Sequence, residues 1–151
     1  MISNLQINTV ANGGVNELIF SGDITPIFYA LSNELGATII LTCPADLKRS
    51  YATNFSADLK GKISYFVNVD ASDAYPQMIL AGDDNFEIGG VPVKSGLLDI
   101  SSNTPIAWTA ARHNRAGNIA LADGSVQQLT NPGLTNCLQT TGAGTNHLAI
   151  P

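Results

Sequence analysis

His113–Leu129 reads HNRAGNIALADGSVQQL, with nine residues between the histidine and the pair Asp123-Gly124. That spacing admits two readings, a dispersed acid–base dyad or the punctuation of a β-hairpin. Asp-Gly is a preferred pair for a two-residue hairpin turn of the primed type, in which both central residues need positive φ. Centring the turn there sets Leu121 opposite Val126 and Ile119 opposite Gln128 on a largely apolar face. Ala120, Ala122, Ser125 and Gln127 fall on the other, small or polar face. HNRAG is itself turn-like, so His113 sits near the start of a strand that ends at Asp123. Extended chain at ~3.3 Å per residue holds the two ends of that strand roughly 16 Å apart. Proton transfer needs an approach of about 3 Å. His113, Asp123 and Gly124 are therefore expected to be architecture, with His113 locking the strand of Trp108 to the next.

Working outward, IAWTAAR before this stretch reads as another strand and carries the single tryptophan, Trp108. FEIGGVPVKSG reads as a small hairpin turning at Gly89-Gly90. ISYFVNV and PQMILAGD are strand-like runs joined by the turn residues ASDAY, which predicts an antiparallel hairpin. CPADLKRSYATNFSADLKGK is polar and irregular, a surface loop with a helical turn. ATIILT is a β-branched run predicted as a strand that Pro44 closes. Residues 23–36 predict a helix: Thr25 as cap, Pro26 in the first turn, Ile27, Phe28, Leu31 and Leu35 at helical spacing, and Gly36 past the end. Residues 1–22, rich in Asn and Gly, read as an extended lead-in with short strands. The expectation is one α+β domain over 1–151: a short N-terminal amphipathic helix packed on an antiparallel β-sheet of about four to six strands, with 37–151 mainly β and loops.

Composition narrows the function. The chain has 151 residues, 44% hydrophobic and 13% charged, which suits a globular core. Twelve acids against seven scattered bases give a net charge of −5. With no basic stripe to neutralise phosphates, nucleic acid and anionic membrane surfaces are not expected partners. No stretch approaches the ~20 apolar residues of a membrane span, and the first residues lack a signal peptide's basic and apolar regions. Cys43 and Cys137 match no metal spacing; they read as two buried thiols, or as a disulfide in an oxidising compartment. Cys43, His113 and Asp123 compose the set of a thiol hydrolase, but Cys43 lies between an apolar run and a proline, a setting for an inert thiol. Nucleophile-elbow, phosphate-loop and H-E-x-x-H patterns are absent, so an enzyme is not expected. Tyr51 and Tyr75, placed on loops, offer the alternative of a glycan- or surface-binding module.

The histidine, nine residues and Asp-Gly, set in GNIALADGSVQQL, resemble the C-terminal signature of bacterial type II secretion pseudopilin-like and prepilin-like proteins. ALSNELGATIILTCPAD, ISYFVNVDASDAYPQMILAGDDN, WTAARHN and TNHLAIP resemble the soluble portion of the same group, from about Glu17 to Pro151. Members begin with a basic leader, a cleavage site and a long apolar helix; none is present here, and the resemblance implies that they stand upstream of Ile2. It implies a structural subunit of a secretion pseudopilus or pilus-like fibre, anchored in the inner membrane and facing the periplasm or cell surface. Its partners would be other pseudopilin subunits, met through that helix, and the prepilin peptidase that processes the precursor. No cofactor is expected beyond calcium, which some related pseudopilins hold in a loop near the sheet. The oxygen-rich candidates are Asp83, Asp84 and Asn85, and Asp70, Ser72 and Asp73; neither set has the spacing of a full calcium loop, and both also read as solvated turn residues.

Overall fold

The computed structural model describes residues 23–151, and the expected lead-in over 1–22 lies outside them. Helices α1 (Thr25–Ala30) and α2 (Ser32–Leu35) come first, followed by strands β1 (Tyr65–Asn68), β2 (Ile79–Asp83), β3 (Phe86–Ile88) and β4 (Val91–Pro92). Then come β5 (Gly96–Ser101), β6 (Ile106–Trp108), β7 (Gly117–Leu121), β8 (Val126–Leu129), helix α3 (Asn131–Thr140) and β9 (Thr145–Ile150). Six strands form one sheet in the order β5-β9-β1-β2-β7-β8 and three form a second in the order β4-β3-β6. Every pairing is antiparallel.

Two apolar clusters follow from the period of two along the central strands, which sends successive side chains to opposite faces. Phe66, Leu148 and Ile150 enter one cluster with Phe86, Trp108, Ile119, Leu134 and Leu138, under the small sheet and α3. Val67 and Ala149 enter the other with Ile24, Ile27 and Phe28 of the α1 segment and Leu41, Leu59 and Ile63 of the loops. The large sheet is thus covered on both sides at its centre. Its edge strand β8 is different: Val126, Gln127 and Gln128 are all exposed.

The β1–β2 hairpin forms as expected, with Tyr65 opposite Asp83 and Phe66 opposite Gly82. The small hairpin turns at Gly89-Gly90, with Ile88 opposite Val91. Other expectations are corrected. Residues 23–36 hold two short helical pieces meeting at Leu31; Ile24 stands at the N-cap of the first, Thr25 lies inside it, and the Asp23 carboxylate accepts the Thr25 N–H at 2.9 Å. ATIILT is no strand: Thr38–Leu41 make a 3₁₀ turn with Ile39 and Ile40 exposed. β1 already has β9 on one side and β2 on the other, so the run finds no ladder beside it. Helix α3 was not foreseen, although Pro132 in its first turn and the spacing of Leu134, Cys137 and Leu138 announce it.

The Asp-Gly hairpin is shifted by one residue from the expected register: Ala120 faces Val126, Ile119 faces Gln127 and Asn118 faces Gln128. Gly124 has φ +87°, whereas Asp123 is not in the left-handed region. The Gly124 N–H reaches the Leu121 carbonyl, and the Leu121 N–H reaches that of Ser125, both at 2.9 Å. This is a three-residue loop ending on a left-handed glycine, not a two-residue primed turn. Asp123 stays exposed and accepts the Ser125 N–H at 2.8 Å, and that bonding holds its carboxyl below the usual range. Trp108 is fully buried, its backbone N–H donating to Asn131 Oδ1 at 2.7 Å, and its ring lies where a Cβ on Gly117 would fall, 2.4 Å away. Contact between Trp108 and Gly117 joins β6 to β7.

Gly117→Ala must displace a buried indole, so a loss of about 1–3 kcal/mol is expected. Gly124→Ala meets open space and forces only a positive φ, with a loss of about 1–2 kcal/mol, and Gly124→Val loses more. Urea denaturation of the three variants checks both the costs and their order.

Candidate functional site

The Cys43 thiol follows the 3₁₀ turn and is fixed by its neighbours. Thr42 Oγ1 donates to the Lys62 carbonyl at 2.6 Å, and the Asp46 N–H closes a turn on the Cys43 carbonyl at 2.9 Å. Asp83 ends β2. His113 stands on the loop between β6 and β7, where His113, Asn114 and Arg115 take φ values of 51°, 52° and 61° in succession. Left-handed backbone costs a non-glycine residue roughly 1–2 kcal/mol, so such a run persists only where the surroundings impose it. Asn85 supplies that constraint: its side-chain amide donates to the Arg112 and Ala116 carbonyls, at 3.4 and 3.3 Å, on either side of the turn.

The turn delivers the imidazole to the thiol and the carboxylate. His113 Nε2 lies 3.3 Å from Cys43 Sγ and 3.4 Å from Asp83 Oδ2. Cys43 and Asp83 are buried and His113 is partly exposed. Asp83 Oδ2 also accepts from the Asn118 N–H at 2.7 Å and the Asn118 side chain at 3.0 Å, while buried Oδ1 has no hydrogen-bond partner among the described residues. Tyr65 stands nearby: burial first, then the Cys43 and Asp83 charges, push its phenol up to about 12.

Two arginines border the trio. Arg49 donates to Asp46 at 2.8 Å and, with both terminal nitrogens, to Asp84 at 3.1 and 2.7 Å. Arg112, almost fully buried, also donates to Asp84, and its other nitrogen reaches the Ser64 carbonyl at 3.2 Å. That nitrogen lies 3.7 Å from Asp46 and 3.9 Å from Asp83 Oδ1. Burial by itself would raise the Asp46 carboxyl; the Ser64 hydroxyl, the Lys48 N–H, Arg49 and Arg112 outweigh it and hold the group below its usual range. A cavity of about 490 Å³ beside this network is lined by Asp46, Arg49, Asp84 and Arg112, and not by the trio.

The expected site residues are therefore redistributed. His113 and Asp123 do not meet; the acid beside His113 is Asp83, which sequence reasoning had grouped with Asp84 and Asn85 as a calcium candidate. Those three turn to different partners: Asp83 to the trio, Asp84 to two guanidiniums, Asn85 to the strained turn. Asp70, of the second calcium set, accepts the His147 N–H at 2.8 Å and meets His147 Nδ1 at 2.6 Å, with Asp99 3.6 Å from Nε2. Cys43 and Cys137 are both free and buried, the first of the two alternatives left open by the sequence; burial pushes the Cys137 thiol up.

Chemically, a thiol, an imidazole and a carboxylate suffice for nucleophilic catalysis or for metal binding. The atoms used separate the two. A relay places the thiol on one ring nitrogen and the acid on the other. Here both sit against Nε2, so the three donors converge on one point. No protein-family model, curated protein or solved structure matches the chain.

Removing Arg112 strands Asp46, Asp84 and the Ser64 carbonyl in the interior. Arg112→Met is expected to cost about 3–5 kcal/mol in urea denaturation, and Arg49→Met, at the more exposed guanidinium, less. The hydrogen bond to Asp70 raises the His147 pKa against the opposing effect of burial, with smaller help from the Asp70 and Asp99 charges. A raised histidine pKa contributes stability that is fully present below about pH 6.5 and is lost as pH rises through the folded value. The melting temperature is expected to fall over that window in the wild type, and His147→Gln to flatten this component of the slope in a thermal series against pH.

Proposed function

We propose that this chain is the β-rich outer domain of a pseudopilin-like or prepilin-like subunit, which works by assembling into a secretion pseudopilus or related fibre rather than by turnover. The observation that carries this reading is the closed wiring of the cluster best equipped for chemistry. Its thiol and carboxylate are buried, both face the same imidazole nitrogen, and the adjacent cavity is not lined by them. The cluster ties the Cys43 loop, the end of β2 and the loop before β7 to one another, as suits a joint under mechanical load.

The segment resemblances add support, as does the antiparallel sheet with the α1 segment packed over one face. No helix among the described residues is long and apolar enough to cross a membrane. Assembly in this reading belongs to an apolar helix encoded upstream of Ile2, which would anchor the precursor in the inner membrane, be processed by a prepilin peptidase and pack against its neighbours. The domain would then form the coat, facing the periplasm or the cell surface.

The test is fractionation of the source cells with an antibody against the domain. Antigen is expected in sheared fibres or in the inner membrane, with a larger, unprocessed form accumulating when the prepilin peptidase is deleted. Antigen found in the cytosol at the mass of the 151-residue chain, whatever the state of the peptidase, would overturn the reading. A second reading, glycan or surface binding, draws on Tyr51 and Tyr75, which are exposed at 48% and 60%. It requires glycan-array binding that Tyr51→Ala or Tyr75→Ala abolishes.

A further inference from the structure

We propose that Cys43, Asp83 and His113 form a binding site for a divalent cation of the zinc type, with three protein ligands and a fourth position open to water on the side of His113. Each residue presents one ligand atom, and all three atoms lie within 4.8 Å of one another.

The spacings fit a shared ion. Bonds of about 2.3 Å to sulfur and about 2.0–2.1 Å to nitrogen or oxygen, at tetrahedral angles, set S and N roughly 3.5 Å apart and N and O roughly 3.3 Å apart. The observed separations are 3.3 Å from Sγ to Nε2 and 3.4 Å from Nε2 to Oδ2. Two tetrahedral edges are thus already at length with Nε2 at their common corner.

Charge points the same way. The neighbouring guanidiniums, Arg49 and Arg112, are matched by two carboxylates, Asp46 and Asp84. Among the described residues Asp83 is left over, fully buried, with Oδ1 lacking a hydrogen-bond partner there and its nearest guanidinium 3.9 Å away. An interior carboxylate in that position is costly unless a cation balances it. Binding would displace the Cys43 thiol proton to solvent and form the sulfur–metal bond, so that thiolate and carboxylate together neutralise a dication.

The donor set selects the metal. A thiolate and an imidazole suit zinc and similar borderline ions, whereas calcium asks for six to eight oxygens. Asn118, donating to Asp83 Oδ2 from backbone and side chain, would fix the carboxylate's orientation in the manner of an outer-shell partner. The left-handed run through His113 holds the imidazole over the other two ligands before any ion arrives.

The test is cobalt titration of chelator-treated protein at neutral pH. Cobalt is expected to bind one-to-one with the intense visible bands of a four-coordinate ion and a near-ultraviolet thiolate-to-cobalt band, both erased by one equivalent of zinc. Cys43→Ser should lose the thiolate band. Asp83→Asn and His113→Gln should weaken binding by at least about tenfold, and Cys137→Ser should keep the full spectrum. Zinc should raise the melting temperature of the wild type and not of Cys43→Ser, with circular dichroism showing which variants are folded; the serine variant keeps the side chain's size if Asp83→Asn does not fold. A wild-type cobalt spectrum without the thiolate band, a spectrum that survives in the Cys43→Ser, His113→Gln double variant, or equal stabilisation by calcium and zinc would overturn the proposal.

Discussion

Burying Arg112 is the constraint on which this half of the molecule depends. A guanidinium that has left water needs its charge met and its donors occupied, and the chain brings four segments to it for that purpose. Asp46 comes from the loop after Cys43, the Ser64 carbonyl from the approach to β1, Asp83 from the end of β2 and Asp84 from the turn that follows. Once these are in place, the next residue in the chain, His113, has little choice of position. Buried Asn85 clamps the turn through its side-chain amide, and the imidazole comes to rest on the thiol. The ionic lattice and the Cys43–Asp83–His113 trio are therefore one device. The first sets the backbone, and the second occupies the point where that backbone converges.

The apolar cores support this from both sides. The same hairpin that ends at Asp83 presents Phe66 edge-on to Phe86, ring centroids 5.5 Å apart, Phe86 in turn meets Trp108 edge-on at 6.5 Å, and Val67 faces the α1 segment behind. Edge-to-face rings add direction to burial. Trp108 fills the space left by the missing side chain at Gly117, so the loop carrying Arg112 and His113 starts and ends on residues packed against one another. A site held by buried charge and a clamped turn would be less well fixed if either end of that loop were free.

Local signals in the sequence carried the local structure. Alternation and turn residues gave the β1–β2 hairpin, and Gly89-Gly90 gave its small counterpart. The Asp-Gly pair gave a reversal at the right place with the wrong loop length, because a left-handed glycine serves either loop and only the hydrogen bonds choose. The β-branched run of ATIILT was misread since strand propensity does not say whether a neighbouring edge is vacant. Helix α3 was legible and passed over. The site was half legible. Cys43 and His113 were recognised as reactive types, but linear spacing drew the eye to Asp123, ten positions along, whereas the true partner comes from β2 through sheet pairing between β2 and β7. Long-range pairing of that kind leaves no periodic trace in a single chain.

The strand order has a consequence for how the protein is made. β9, the last of the described strands in chain order, is an interior strand, flanked by β5 over the register Gly96↔Ile150 to Ser101↔Thr145 and by β1 on the other side. Until residues 145–150 emerge, β1 and β5 each present an unsatisfied ladder, and unpaired edges of that kind recruit other chains. Closure of the large sheet thereby waits for its last strand in chain order. Loss of residues 145–150 would split the sheet through its middle instead of trimming its rim.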